Sequence, residues 1–248
     1  MDAKTVKSYF NSPIVVSDYL EAAKSIGLWE SEKIVFKNFL APEMKVLELG
    51  CGAGRIALGL AKIGFENVLA TDVCENMVEA AKSEAAAEGI SARFEVCDAT
   101  AMTYADESFD AAIFGFNGLM QIPKYENRSR ATREISRVLK NGGVLIFTTH
   151  DRSSAENKKY WDDELKQWNS RAQNPVLDEF GDLYYNDGRG NVFIHSPTED
   201  EITSMLADAG FSVELRRRRS WIAQESARVA DFSDDCLFWA AKKNARQS

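Results

Sequence analysis

The chain has 248 residues, 45% of them hydrophobic and 27% charged, which supplies one large α/β core without disulfide or metal staples. Its net charge of −8 speaks against a broad nucleic-acid footprint, since gripping a phosphate backbone normally takes a basic face. No apolar run approaches the roughly 18 residues of a membrane helix, and Met1-Asp2-Ala3-Lys4 opens without the apolar stretch of a secretory signal.

The four cysteines, Cys51, Cys74, Cys97 and Cys236, show neither CxxC nor metal-ligand spacing, which reads as free thiols in a reducing cytoplasm with no metal site. The first forty residues read as helices, with Ser17 and Ser31 as caps and Pro42 as a break. From Val46 onward short β-like runs alternate with helical patterns. Strands are expected at 46–49, 68–71, 92–96, 109–114 and 144–149, and helices at 55–63, 75–88 and 126–139. Met77, Ala80 and Ala81 share one face of the second helix, which Gly89 ends, and Asn141-Gly142-Gly143 would cap the third. Such alternation implies a parallel sheet with right-handed crossovers.

Residues 151–196 break the rhythm with a polar, aromatic stretch too long for a bare loop. It reads as an inserted cap: a helix over 155–173, then a hairpin turning at Asn186-Asp187-Gly188-Arg189-Gly190 between Tyr184-Tyr185 and Val192-Phe193-Ile194. Thr198, with Glu201 three residues on, starts another helix that Gly210 ends. Strands over 211–221 and 235–241 form an antiparallel pair at the sheet edge, and 242–248 is an irregular tail. The expected organisation is one domain over 1–248, with a helical lid at 1–43, a core at 44–150 and 197–242, and the cap at 151–196.

The chemistry concentrates in Glu48-Leu49-Gly50-Cys51-Gly52-Ala53-Gly54-Arg55. A strand ending in an acid, a glycine turn and a helix N-terminus is how α/β proteins build a nucleotide site. Counting from Gly50, the sixth place is Arg55, where a dinucleotide fingerprint wants Gly or Ala, and the Walker Gly-Lys-Ser/Thr is absent. Asp72 ends the second strand about 20 residues past the glycines, where an acid accepts ribose hydroxyls. An acid there also favours a helix start. Asp98 follows the third strand and would equally suit a turn.

Taken in order, the E-x-G-x-G-x-G run, Asp72 and Asp98 resemble the motifs of class I S-adenosylmethionine (SAM)-dependent methyltransferases, specifically from Val46 to about His150 and more loosely to Ala241. The resemblance implies a doubly wound, Rossmann-like sheet of seven mostly parallel strands with an antiparallel edge strand, and SAM as cofactor with S-adenosylhomocysteine as product. It implies that Gly50, Cys51, Gly52, Gly54 and Arg55 hold the methionine part, with Glu48 near its ammonium. Asp72, Val73 and Met77 would complete the cofactor contacts, and Asp98 would meet the adenine amino group between Cys97 and Ala99. Phe114 would border the transferred methyl. Tyr19, in the lid, would touch the methionine end, with Tyr9 and Trp29 as competitors.

The acceptor would meet Phe116 and Asn117 after the fourth strand, Trp161, Trp168, Tyr184 and Tyr185 of the cap, and His195. His150 is the candidate general base, since imidazole titrates near neutrality. The aromatics serve equally as core, and either histidine as an ordinary polar residue. The segment 114–120 lacks the Asn/Asp-Pro-Pro-Tyr/Phe motif of nucleic-acid amino methyltransferases. Arg216-Arg217-Arg218-Arg219 alternates faces on a strand and reads as a solvated edge rather than an RNA patch. The expected activity is methyl transfer to a small-molecule O or N acceptor, with no nucleic-acid or membrane partner. The alternatives are an RNA or protein methyltransferase, an NAD-linked oxidoreductase, or a SAM-binding fold used without methyl turnover.

Overall fold

The structure, a computed structural model, describes residues 1–155 and 157–245. Three helices, α1 (Ala3–Phe10), α2 (Pro13–Ser25) and α3 (Glu30–Phe39), precede β1 (Val46–Leu49). Then follow α4 (Arg55–Lys62), β2 (Val68–Asp72), α5 (Glu75–Ala87), β3 (Arg93–Val96) and β4 (Phe109–Phe114). A 3-10 turn (Gly118–Gln121) leads to α6 (Tyr125–Val138) and β5 (Leu139–Thr149). The insert holds α7 (Lys158–Asn169) and the hairpin β6 (Asp182–Asn186) and β7 (Asn191–His195). The chain closes with α8 (Glu199–Asp208), β8 (Phe211–Arg218), α9 (Arg219–Ile222), α10 (Ala227–Phe232) and β9 (Leu237–Lys243).

Seven strands form one sheet in the order β3-β2-β1-β4-β5-β9-β8, and β6 and β7 pair separately. The strands from β3 to β5 are parallel, and antiparallel pairing is confined to the end of the sheet where β9 and β8 lie. β1 has β2 on one side and β4 on the other, so the connections diverge there and a crevice opens at the strand C-termini. Alternation along the strands feeds two cores. Val46, Ala111, Ile113, Ile146 and Phe238 pack with residues of α3, α4 and α5, and Leu47, Ala112, Leu145, Phe147 and Trp239 with residues of α6 and α8.

Several boundaries differ from expectation for visible reasons. α2 begins ahead of Ser17, because Pro13 after Ser12 has its φ preset for a first helical position. Ser31 lies inside α3, whose first N–H groups are satisfied from afar: Glu225 accepts from Glu30 and Ser31 at 3.0 and 2.9 Å. α6 stops at Val138, and Asn141-Gly142-Gly143 lies within β5, where Gly142 at φ +76° accommodates a slip in register against β4. Lys242 and Lys243, expected in the tail, belong to β9, while 246–248 lie outside the described residues. Thr198 caps α8 through the Glu201 N–H at 3.2 Å. In the arginine run, Arg216 pairs with Glu199 and Arg218 with Asp151, whereas Arg219 turns inward over the Trp29 ring.

Candidate functional site

Gly50, Gly52 and Gly54 carry φ of +61°, +52° and +89°, a left-handed run that only glycine adopts cheaply. They are also pressed by their neighbours. A Cβ on Gly50 would stand 2.7 Å from the Phe114 ring, on Gly52 2.8 Å from Tyr19, and on Gly54 3.2 Å from Ala81 and Phe94. Asp72 ties the loop down: its carboxylate accepts the Gly52 N–H at 2.9 Å and the Cys74 N–H at 2.8 Å.

Over this loop opens a chamber of about 650 Å³. Its lining includes Tyr19, Glu48, Gly50, Cys51, Gly52, Arg55, Asp72, Val73, Met77, Cys97, Asp98, Ala99, Phe114 and Phe116, drawn from the C-terminal ends of β1 to β4 and the turns after them, from α2 and from the first turns of α4 and α5. Gly54 is absent from that lining, and its freedom serves the start of α4 and the packing against α5. Val73 and Val96 remain 39% and 51% exposed in the chamber, apolar surface left open in a concave site. Asp98 accepts the Thr100 N–H and hydroxyl, both at 2.8 Å through one oxygen, so it closes a turn while its other oxygen has no hydrogen bond among the described residues.

Glu48 is the most telling group. It is 1% exposed, it lines the chamber, and its Oε2 has no hydrogen-bond partner. Burial pushes its pKa up to about 8, and the nearby Arg55 only partly opposes that. A buried acid of this kind lacks a cation. Ordinary parts of an amino-acid nucleoside would complete the chamber: an ammonium by Glu48, ribose hydroxyls by Asp72, and a flat base between Val73, Val96 and the Asp98 turn.

Residues 46–143 match the family described as "Methyltransferase domain". The methyltransferase GfsG of Streptomyces halstedii is 31% identical over 141 residues, 56% of this chain and 48% of that protein, so the chain spans about half the length of that relative. The demethylmenaquinone methyltransferase of Bacteroides fragilis is 25% identical over 229 residues, covering 87% of this chain and 88% of that one. A SAM-dependent methyltransferase of Methanosarcina mazei shares the fold with a TM-score of 0.68 at 24% identity, over 89% of this chain and 100% of that one. Residues 46–143 thus match a methyltransferase domain, within a fold shared with a SAM-dependent methyltransferase.

Arg55, although it borders the chamber, is held against α3 and the segment before it. Its guanidinium grips Glu32 with two bonds of 2.7 and 2.6 Å, donates to the Gly27 carbonyl at 2.8 Å, and lies over Trp29 at 4.8 Å. Glu32 also accepts the Trp29 N–H at 2.9 Å. The residue that breaks the dinucleotide fingerprint therefore joins the first turn of α4 to α3.

A second chamber of about 420 Å³ adjoins the first. Phe10, Tyr19, Phe116, Gln121 and Phe232 line both. The second chamber also takes in Asn117, His150 and Tyr185 as expected, together with Tyr9, Asp18, Asp187, Arg189, Asp231 and Asp234. The sequence reading passed over Asp231, Phe232 and Asp234. The available signal was the connection from β8 to β9, which is longer than a tight antiparallel hairpin needs. The Asn117 amide stands 3.2 Å from His150 Nε2, and Asp234 stands 3.9 Å from Nδ1. Burial lowers the His150 pKa, with Asp234 opposing, so the imidazole is neutral at pH 7.

Four residues expected at the acceptor line neither chamber. Trp161 and Trp168 meet Phe180 edge-on at 5.7 and 6.1 Å, and Arg152 stacks on Trp161 and Phe180, so these rings hold the insert together. Tyr184 lies in β6 opposite Phe193, while Tyr185, next along the strand, faces the second chamber. His195, 1% exposed, spends one nitrogen on Asp182 at 2.8 Å and the other on Glu201 at 3.0 Å. Ligand atoms of Glu179, Asp182 and His195 lie within 4.8 Å of one another, close enough to hold a metal ion. The fully buried Arg128 already supplies positive charge there, 2.6 Å from Glu179 and 3.2 Å from Glu201. This network fastens the hairpin to α6 and α8.

Proposed function

We propose that this methyltransferase moves the SAM methyl group to an oxygen or nitrogen of a small molecule held in the second chamber. The observation that carries the reading is the shared wall: the chamber fitted to the cofactor and the chamber beside it meet at Tyr19, Phe116 and Phe232. When bound, the cofactor supplies an electrophilic methyl on a sulfonium, already equipped with a good leaving group. The protein's task is then to hold, align and keep dry. Glu48 and the glycine loop would fix the methionine end, Asp72 the ribose, and Asp98 with Val73 and Val96 the base. Tyr19, packed on Gly52, closes the loop from the lid side, and residues 1–43 and 151–196 would act as lid and cap around a core of 44–150 and 197–242.

His150 would take the proton from a hydroxyl acceptor, for which a neutral imidazole is the right form. The second chamber's modest volume and acidic lining favour a small molecule over RNA, and Arg216 and Arg218 are already engaged in ion pairs. A relative named for demethylmenaquinone supports the same size class. Calorimetric titration with SAM and S-adenosylhomocysteine tests the cofactor half, and absence of heat at millimolar ligand would overturn it. Release of S-adenosylhomocysteine in the presence of an acceptor library, but not of short RNA or protein, tests the acceptor half. Binding of NADH instead would favour the oxidoreductase reading.

A further inference from the structure

We propose that the acceptor carries a positively charged amine, held at the rim of the second chamber by Asp231 and Asp234. This rests on the methyltransferase reading above and adds the chemical class of the acceptor.

Charge is the first line of argument. Four aspartates and one arginine line the chamber, together with His150. Arg189 is spent on two of the aspartates, 3.1 Å from Asp18 and 2.6 Å from Asp187. Asp231 has no hydrogen bond or ion pair among the described residues. The Asp234 carboxylate stands 3.9 Å from the neutral His150 ring and near Tyr185, and among the described residues it has no ion pair with a lysine or arginine. Two carboxylates thus flank the chamber without a cation. Their placement is local to one segment: they bracket Phe232, whose ring stacks on Phe116 at 4.8 Å and 12° on the wall common to both chambers.

The second line is independent of charge. Asn117 is 4% exposed and lines the chamber, yet its Oδ1 has no hydrogen-bond partner among the described residues. Its other end is engaged with His150 Nε2. A buried amide oxygen left bare is costly, and an N–H or O–H brought in by a ligand would satisfy it. The backbone supports a functional reading of the spot, since Phe116 and Asn117 both hold positive φ, +48° and +59°, which non-glycine residues adopt only when the surroundings compel it. Exposure then grades from the buried Asn117 to the open rim, where the Asp234 side chain is 86% exposed. The reacting donor atom belongs at the Asn117–His150 end, and the ammonium at Asp231 and Asp234, against the aromatic faces of Tyr185 and Phe232.

The test uses ligands that share a skeleton and differ in charge: phenethylamine, phenethyl alcohol and phenylacetate, added to the full chain saturated with S-adenosylhomocysteine. Thermal shift and calorimetry should report binding of the amine about tenfold tighter than the alcohol, and none of the phenylacetate. In the Asp231→Asn/Asp234→Asn double variant, amine affinity should fall about tenfold, as expected for two solvent-screened ion pairs, and the alcohol should bind as before. Equal binding of amine and alcohol, preference for phenylacetate, or an unchanged amine affinity in the double variant would each overturn the proposal. Failure of S-adenosylhomocysteine to bind at all would instead overturn the underlying methyltransferase reading, and it is measured first. Circular dichroism of the double variant confirms that it folds; if it does not, Asp231→Asn alone, at an exposed position, gives the same comparison.

Discussion

The proposed pairing of Glu48 with the cofactor's ammonium would make binding a proton-linked event. In the free protein its carboxyl has a pKa of about 8, raised from an ordinary 4.5 by burial. At pH 7 it is therefore mostly protonated, and the form that would pair with an ammonium is the minor one. Binding must release that proton. Well below pH 8 each pH unit should weaken S-adenosylhomocysteine binding about tenfold, or ~1.4 kcal/mol, with the slope flattening through pH 8 to a plateau above. Between pH 6 and 8 the dissociation constant should fall about fiftyfold. Titration calorimetry in two buffers of different ionisation enthalpy reads the proton directly: close to one released at pH 6.5, few at pH 9. The ligand's own ammonium also titrates, and Glu48→Gln separates the two, because pH dependence remaining in the variant belongs to the ligand. The same shift fixes a sign for stability. The folded state binds the Glu48 proton more tightly than the unfolded state, so the unliganded protein loses stability as pH rises from 4.5 toward 8. Glu48→Gln should remove that slope and raise the melting temperature of the unliganded protein at pH 8 while weakening the cofactor. A flat binding profile with no proton release would refute the assignment of Glu48.

Four further outcomes follow from named contacts. Glu32→Ala strands the buried Arg55 guanidinium and should cost about 3–5 kcal/mol in urea unfolding, with a loss under 1 kcal/mol showing that the pair does not brace the lid. Gly52→Ala forces a side chain into φ +52° and against the Tyr19 ring, so cofactor affinity should drop, and Tyr19→Ala should restore the part due to the clash but not the ~1–2 kcal/mol of backbone strain. Trp161→Ala should destabilise by about 3–5 kcal/mol and leave the S-adenosylhomocysteine dissociation constant unchanged, since the ring packs on Phe180 away from both chambers. His150→Ala should lower kcat about a hundredfold for a hydroxyl acceptor and only a few-fold for an amine nucleophile, and equal losses would show a role other than proton transfer.

The core was readable because its signals are local. Val46 to Leu49 and Phe109 to Phe114 are mostly apolar and mostly buried, and the three glycines after β1 make the expected turn into α4. The hairpin in the insert was readable from its turn residues alone. Boundaries failed where a partner came from far along the chain. No inspection of residues near Ser31 shows that Glu225 caps α3, and nothing near Arg55 announces Glu32. Asp72 and Asp98 illustrate a subtler limit. Both sit where the motif puts them, yet each also accepts backbone N–H groups, so one carboxylate shapes the loop and lines the chamber at once.

The second chamber, proposed as the acceptor side, was hard to read for a different reason. Its wall is assembled from α1 and α2, the turn after β4, the end of β5, the hairpin and the α10 segment, and each part contributes one or two unremarkable residues. The most conspicuous residues of the insert, Trp161 and Trp168, went to packing because a 46-residue excursion from the sheet (151–196) needs a small core of its own, and Phe180 with Arg152 completes it. His195 was absorbed in the same way, since the insert must also be fastened to α6 and α8, and a buried ion network with Arg128 does that. What the insert presents to the second chamber is the modest remainder: Tyr185, Asp187, Arg189, Val192 and Ile194. The division of labour has a physical logic. The first chamber is built on a glycine loop and strand ends that the sheet fixes, whereas the second is enclosed by elements held through side-chain contacts, such as the Tyr9–Asp187 and Arg189–Asp18 links from α1 and α2 to the hairpin. A substitution in those contacts would therefore reshape the second chamber without disturbing the sheet under the first.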